Sequence, residues 1–158
     1  MTARDKIAWF RAIPHARPKF PDAFVDQLKY FFWFVITPFH PHVRDLLLYM
    51  RILRHQGRDN YLLGRLAPHQ TVEGFVSYLL EQGFGNHFIA WEEGQIVSLR
   101  YTPDFKYQYH IRIFHDGEIR GHFEYTPEYR PILHMQEVGM EARIEEFHQL
   151  IGEHIIPA

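Results

Sequence analysis

The chain of 158 residues contains no cysteine. That excludes a disulfide framework, a thiolate zinc site and a cysteine nucleophile. It also has little excess of one charge: 17 Lys and Arg stand against 19 Asp and Glu, a net charge of −2. A nucleic-acid partner is therefore not favoured, since a general binder carries a strongly basic domain. Long apolar runs are missing too. The longest, Tyr30–Ile36, has seven residues, whereas a membrane-crossing helix needs about 20. The first 20 residues carry charges throughout and no apolar stretch of the kind a secretory signal needs, so a cytoplasmic location is expected. HExxH, GxSxG, Walker and GxGxxG patterns are absent from the sequence, and no cofactor is assigned.

Histidine, by contrast, is abundant and scattered, with 12 in the chain, and aromatic residues make up 16%. The charges are unevenly spread. Residues 1–79 hold eleven basic and six acidic side chains; residues 80–158 hold six and thirteen. The two halves are thus complementary to each other or to different partners.

Apolar spacing divides the chain into helical and extended parts. A short helix is expected at 3–12, followed by an extended arm. Phe24, Val25, Leu28, Phe31, Phe32, Val35 and Ile36 recur at helical spacing, and Val43, Leu46, Leu47, Met50 and Leu53 form a second stripe. Pro38 and Pro41 are expected to break the chain between the two stripes, giving a helical hairpin over 22–56. The aromatic helix 22–36 suits a core, a homo-oligomer interface or, with residues 20–56 as a whole, a peripheral membrane contact. A boundary near residue 57 would separate this N-terminal helical segment (1–57) from an α+β domain (58–158).

In that second part, 61–66 reads as a short strand. A helix capped by Thr71 follows, with Phe75, Val76, Leu79 and Leu80 as its buried face and Gly83 and Gly85 as its stop. Residues 87–91, 95–101, 105–114 and 118–125 read as strands of an antiparallel meander of four to five strands, and a final helix spans about 141–155. The helices should cover one face of the sheet, a two-layer α+β fold.

The connection His115-Asp116-Gly117 fixes which residues act together. A two-residue loop would set Ile113 opposite Arg120 and mix apolar with polar faces. A three-residue loop sets Ile113 opposite Ile119 and keeps the faces clean. That register places His110 opposite His122, Arg112 opposite Arg120 and Gln108 opposite Glu124, with Ser98 and Arg100 joining from the neighbouring strand.

One sheet face then carries Ser98, Arg100, Arg112 and Arg120 as candidate anion-binding residues for an anionic small molecule or protein partner. On this expectation the chain is a binding module, with that face open to its ligand. The alternative is a small hydrolase or transferase. In it His110 or His122 is the general base, Glu124 orients it, and the arginines stabilise developing negative charge. A metal at His110, His122 and Glu124 is chemically reasonable, but the arginine pair beside it repels a dication, and no metal is assigned.

Overall fold

The computed structural model of the protein describes residues 3–52, 61–87, 95–131, 134 and 139–158. They form an α+β fold built on a six-stranded antiparallel sheet. In chain order the elements are α1 (Ala3–Ala12), α2 (Phe24–Ile36), a 3-10 turn (Thr37–Phe39), α3 (His40–Tyr49), β1 (Leu62–Leu66), α4 (Val72–Glu81), β2 (Gly85–Asn86), β3 (Gln95–Tyr101), β4 (Tyr107–Phe114), β5 (Glu118–Tyr125), α5 (Ile144–Ile151), a second 3-10 turn (Gly152–His154) and β6 (Ile155–Pro157). The strands lie in the order β2-β3-β4-β5-β1-β6.

The odd-length connection sets the central register as expected. Gly117 takes φ 82°, which favours glycine, and its N–H closes the turn on the Phe114 carbonyl at 3.0 Å. Ile113 then pairs with Ile119, Arg112 with Arg120, His110 with His122 and Gln108 with Glu124. Strand β4 begins at Tyr107, two residues later than the alternation predicts. The Asp104 carboxylate accepts the N–H groups of Lys106 and Tyr107 at 2.6 and 2.8 Å, holding that stretch in a turn.

The apolar face is the core. Leu63, Leu99, Ile111, Ile113 and Ile119 are buried under Phe75, Val76 and Leu79 of α4 and Phe147 and Ile151 of α5. The Thr71 side chain caps α4 by accepting the Gly74 N–H at 3.1 Å. Gly121 brings α5 close to the sheet: a Cβ there would lie 2.8 Å from Leu63 Cδ1 and 3.0 Å from Phe147 Cε1.

The last helix is shorter than its apolar spacing predicts. Arg143 adopts a left-handed conformation, with its side chain tied to Glu141 and Glu146, so α5 starts only at Ile144. Gly152 stops it, and the β-branched pair Ile155-Ile156 extends into a sixth strand against β1.

Between α2 and α3 the α-helix ends at Ile36, as the prolines predict, but the connection is a 3-10 turn. Ile36, Thr37, Phe39 and His40 all keep right-handed helical dihedrals. Each proline falls in the first turn of its helical piece, where the missing N–H costs nothing. The two helices are joined by this 3-10 turn rather than by an open loop. No described helix is long and apolar enough to cross a membrane. The second helix ends at Tyr49, earlier than its stripe predicts, with Arg51 in a left-handed conformation; the expected strand 87–91 beyond His87, the loop 92–94 and residues 53–60 lie outside the described residues.

The polar face of the sheet is also buried, which corrects the expectation that it stands open to a ligand. The N-terminal arm runs along the β2 edge and meets this face at Ala16, whose carbonyl accepts from Arg100 at 2.9 Å. Asn86 N–H donates to the Pro14 carbonyl at 2.8 Å, Ala16 N–H donates to the Asn86 carbonyl at 3.3 Å, and His15 forms a parallel bridge with Asn86. Phe10 and Ile13 sit in the core. On the far side, Glu141 exchanges two backbone hydrogen bonds with Phe123, each 2.7 Å.

Candidate functional site

Strands β3, β4 and β5 present Ser98, Arg100, Gln108, His110, Arg112, Arg120, His122 and Glu124 on one face, as the register requires. Seven of these are buried and Arg112 is half-buried. The arginines expected to face a ligand are engaged within the protein. Arg100 grips Glu128 with two nitrogens at 2.8 and 3.1 Å, and also donates to the Ala16 carbonyl and to Gln108 Oε1. Arg120 donates to Glu118 at 2.9 and 3.2 Å. The open anion platform is thus replaced by a buried face, because burying a guanidinium demands a carboxylate partner and the fold provides one for Arg100 and for Arg120.

Around Glu124 the polar groups converge. His122 Nε2 lies 3.2 Å from Glu124 Oε1 and 3.2 Å from His110 Nδ1, and His110 Nδ1 lies 3.9 Å from the same oxygen. Gln108 Nε2 donates to Glu124 Oε1 at 2.6 Å, its amide oriented by the Arg100 donor on its oxygen. His134 Nδ1 lies 3.2 Å from Glu124 Oε2 and 3.3 Å from the Tyr125 carbonyl. Both neighbours accept, so this nitrogen carries the hydrogen. Ser98 Oγ and His110 Nε2 are 2.6 Å apart. With Nε2–H donating to Ser98, His110 turns the lone pair of Nδ1 toward His122 and Glu124.

Burial sets the protonation states. It pushes His87 and His110 well below the ordinary imidazole value, and the neighbouring positive groups push the same way. Burial also lowers His122, with Glu124 partly opposing. Glu124 behaves differently: burial favours its neutral form, but His134 and His122 outweigh that and hold the carboxyl well below its usual range. His134 is raised, because Glu124 overcomes the burial that acts against its charged form. The centre is therefore a carboxylate beside His134, which that carboxylate holds toward its charged form, and three imidazoles, His87, His110 and His122, which burial holds toward their neutral form.

Four contributors escape the sequence reading. Glu128 lies in the turn after β5, and its role appears only when the arm brings Ala16 and Arg100 together. His134 follows that turn. His87 follows β2, with its ring centroid 4.5 Å from that of His110 and 6.0 Å from that of His134. His40 is buried against Trp33, centroids 5.1 Å apart. The high histidine count is the only sequence signal for them; nothing in their spacing links them to the sheet.

The chain matches no family model, no curated protein and no solved structure.

Proposed function

We propose that the chain is a metal-dependent hydrolase whose ion is held by His110, His122 and Glu124. The observation that carries this is the triangle of donor atoms at 3.2, 3.2 and 3.9 Å, drawn from the one buried cluster of metal-ligating side chains found among the described residues. A tetrahedral ion with nitrogen and oxygen ligands at about 2.0–2.1 Å holds them roughly 3.3 Å apart. Two imidazoles and one carboxylate make the donor set of hydrolytic zinc sites, which keep a fourth position for water and lower its pKa to about 7.

The repulsion that argued against a dication is weaker than the sequence suggests. Glu118 neutralises Arg120, leaving Arg112 as the member of the pair whose charge acts on His110 and His122, and Glu128 neutralises Arg100 nearby. Ser98 on His110 and Gln108 on Glu124 serve as the outer partners that orient metal ligands.

Titration with Co²⁺ tests the reading through the visible absorption bands of the bound ion. Wild type is expected to bind at micromolar concentration. Glu124→Gln and His122→Ala should each weaken binding at least about hundredfold, since even outer partners are worth about 10–100-fold. Hydrolysis of p-nitrophenyl acetate or p-nitrophenyl phosphate should require the ion and stop with a chelator. No binding by folded wild type overturns the proposal.

We infer, second, that the outer face of α2–α3 joins two copies of the chain. Phe24, Leu28, Phe31, Phe32, Val35 and Phe39 are each more than half exposed, and Leu46 and Met50 extend the stripe. Side chains of this size expose together on the order of 800 Å². A stable interface buries about 800 Å² per partner, more than the few hundred a monomer normally shows as one patch. An anionic bilayer fits less well: Lys29 is paired with Asp26, and Asp45 is exposed beside the stripe. Light scattering should give twice the chain mass, and Phe31→Glu with Val35→Glu should halve it. Monomeric wild type that pellets with vesicles would reassign the face to lipid.

A further inference from the structure

Helix α2 is aromatic on two faces. Leu28, Phe31 and Val35 belong to the exposed stripe, and at about 100° per residue Tyr30, Trp33 and Phe34 fall on the opposite side. There they line a cleft of about 310 Å³, with Thr37 and Pro38 continuing their wall. The N-terminal arm forms the facing wall through His15, Ala16 and Arg17, and the Arg100–Glu128 ion pair lies at the floor.

The two walls are held by separate contacts, so the cleft stays open without a ligand. Arg100 Nε donates to the Ala16 carbonyl at 2.9 Å, Thr102 Oγ1 to the Arg17 carbonyl at 3.3 Å and Asn86 N–H to the Pro14 carbonyl at 2.8 Å, which ties the arm to the sheet. The helix is anchored elsewhere. Trp33 packs on His40 with centroids 5.1 Å apart, Tyr30 on Phe105 at 6.3 Å, and Lys29 Nζ lies 4.3 Å from the Tyr129 ring centre. A space of this size is at the lower end of small-molecule sites, about 300–1,000 Å³, and suits one ring or two fused rings.

The lining sets the chemistry of the occupant. Three aromatic side chains suit a flat, apolar body. Arg100 has five N–H groups, and all five already meet Ala16, Gln108 and Glu128, so it has no donor left for a ligand. Glu128 accepts two of those bonds, whereas a carboxylate accepts about four, and its side chain stays 7% exposed. The floor thus offers an acceptor. At the mouth His15 and Arg17 are exposed and basic, and the described lining holds no carboxylate beside them.

We propose that this cleft binds a small aromatic acid. Its ring packs among Tyr30, Trp33 and Phe34, an amino, hydroxyl or ring N–H group donates to Glu128, and the acid group meets Arg17 at the mouth. The site is independent of the metal reading, since none of His110, His122 and Glu124 lines it.

Calorimetric titration of the full chain with 4-aminobenzoate and, separately, indole-3-acetate tests this. Wild type should bind at least one of them, and which one binds distinguishes a single ring from a fused pair. Benzoate and 1-naphthaleneacetate, which lack the donor, should bind at least about tenfold more weakly than their counterparts, the worth of a hydrogen bond to a charged group. Phe34→Ala should weaken binding at least about threefold through the lost ring contact, and Arg17→Glu by a similar factor through the reversed charge. Both positions are exposed, so the fold tolerates either change. Tyr49→Ala, at an exposed aromatic of α3 away from the cleft, should leave binding unchanged. If wild type binds neither acid, if the analogues without a donor bind as tightly, or if Phe34→Ala and Arg17→Glu bind as wild type does, the proposal is overturned.

Discussion

At the scale of single residues, the direction of one hydrogen bond decides what chemistry His110 can do. If its Nε2–H donates to Ser98, Nδ1 is a ligand; if Ser98 donates to Nε2, the serine is instead activated as a nucleophile. Ser98→Ala separates the two. As an outer partner of a metal ligand, its loss should weaken Co²⁺ binding about 10–100-fold and lower hydrolysis in parallel, with activity restored by raised metal. As a nucleophile, its loss would abolish hydrolysis at any metal concentration and leave binding intact. Affinity and rate measured on one preparation give the answer.

At the scale of elements, local signals hold where one short-range rule has no competitor. The Thr71 cap of α4 is such a case. Thr71→Ala should cost about 1 kcal/mol of unfolding free energy, read by urea denaturation, because one N–H at the helix start loses its acceptor. The β4–β5 pairing is another, since any slip would bury arginine in the apolar core, and its whole register follows from the alternation. This is why His110, His122 and Glu124 were legible as a group. What covers them was not. Burial of the polar face depends on the arm and on the segment after β5, and their contacts, Arg100 with Ala16 and Glu128, join residues 84 and 28 positions apart. No periodicity encodes such contacts. The sixth strand was hidden for a related reason: Ile155 and Ile156 fit a helix by spacing and a strand by shape, and the backbone at Gly152 decides.

At the scale of the molecule, sealed imidazoles tie stability to pH. His40 is 3% exposed, and its pKa falls to about 4, first through burial and then through the charges of His134 and Arg44. In the unfolded chain the same group titrates near 6.5. Between these values the unfolded state binds the extra proton, so stability declines as pH drops from about 6.5 to 4. Urea midpoints measured from pH 7 to pH 4 should fall, and His40→Leu should flatten part of that slope. An unchanged slope in the variant would show that His40 does not carry it.

The arm that bridges to Asn86 has a further effect. It lies along the margin of the sheet beside β2, where strand backbone would otherwise be open to another strand. The opposite margin, β6, is three residues long and ends in proline, which has no N–H to offer. Among the described residues neither flank presents a long ladder for a neighbouring molecule to extend, so fibre-like stacking of sheets is discouraged at both ends, and encounters between molecules are directed to the helical surface.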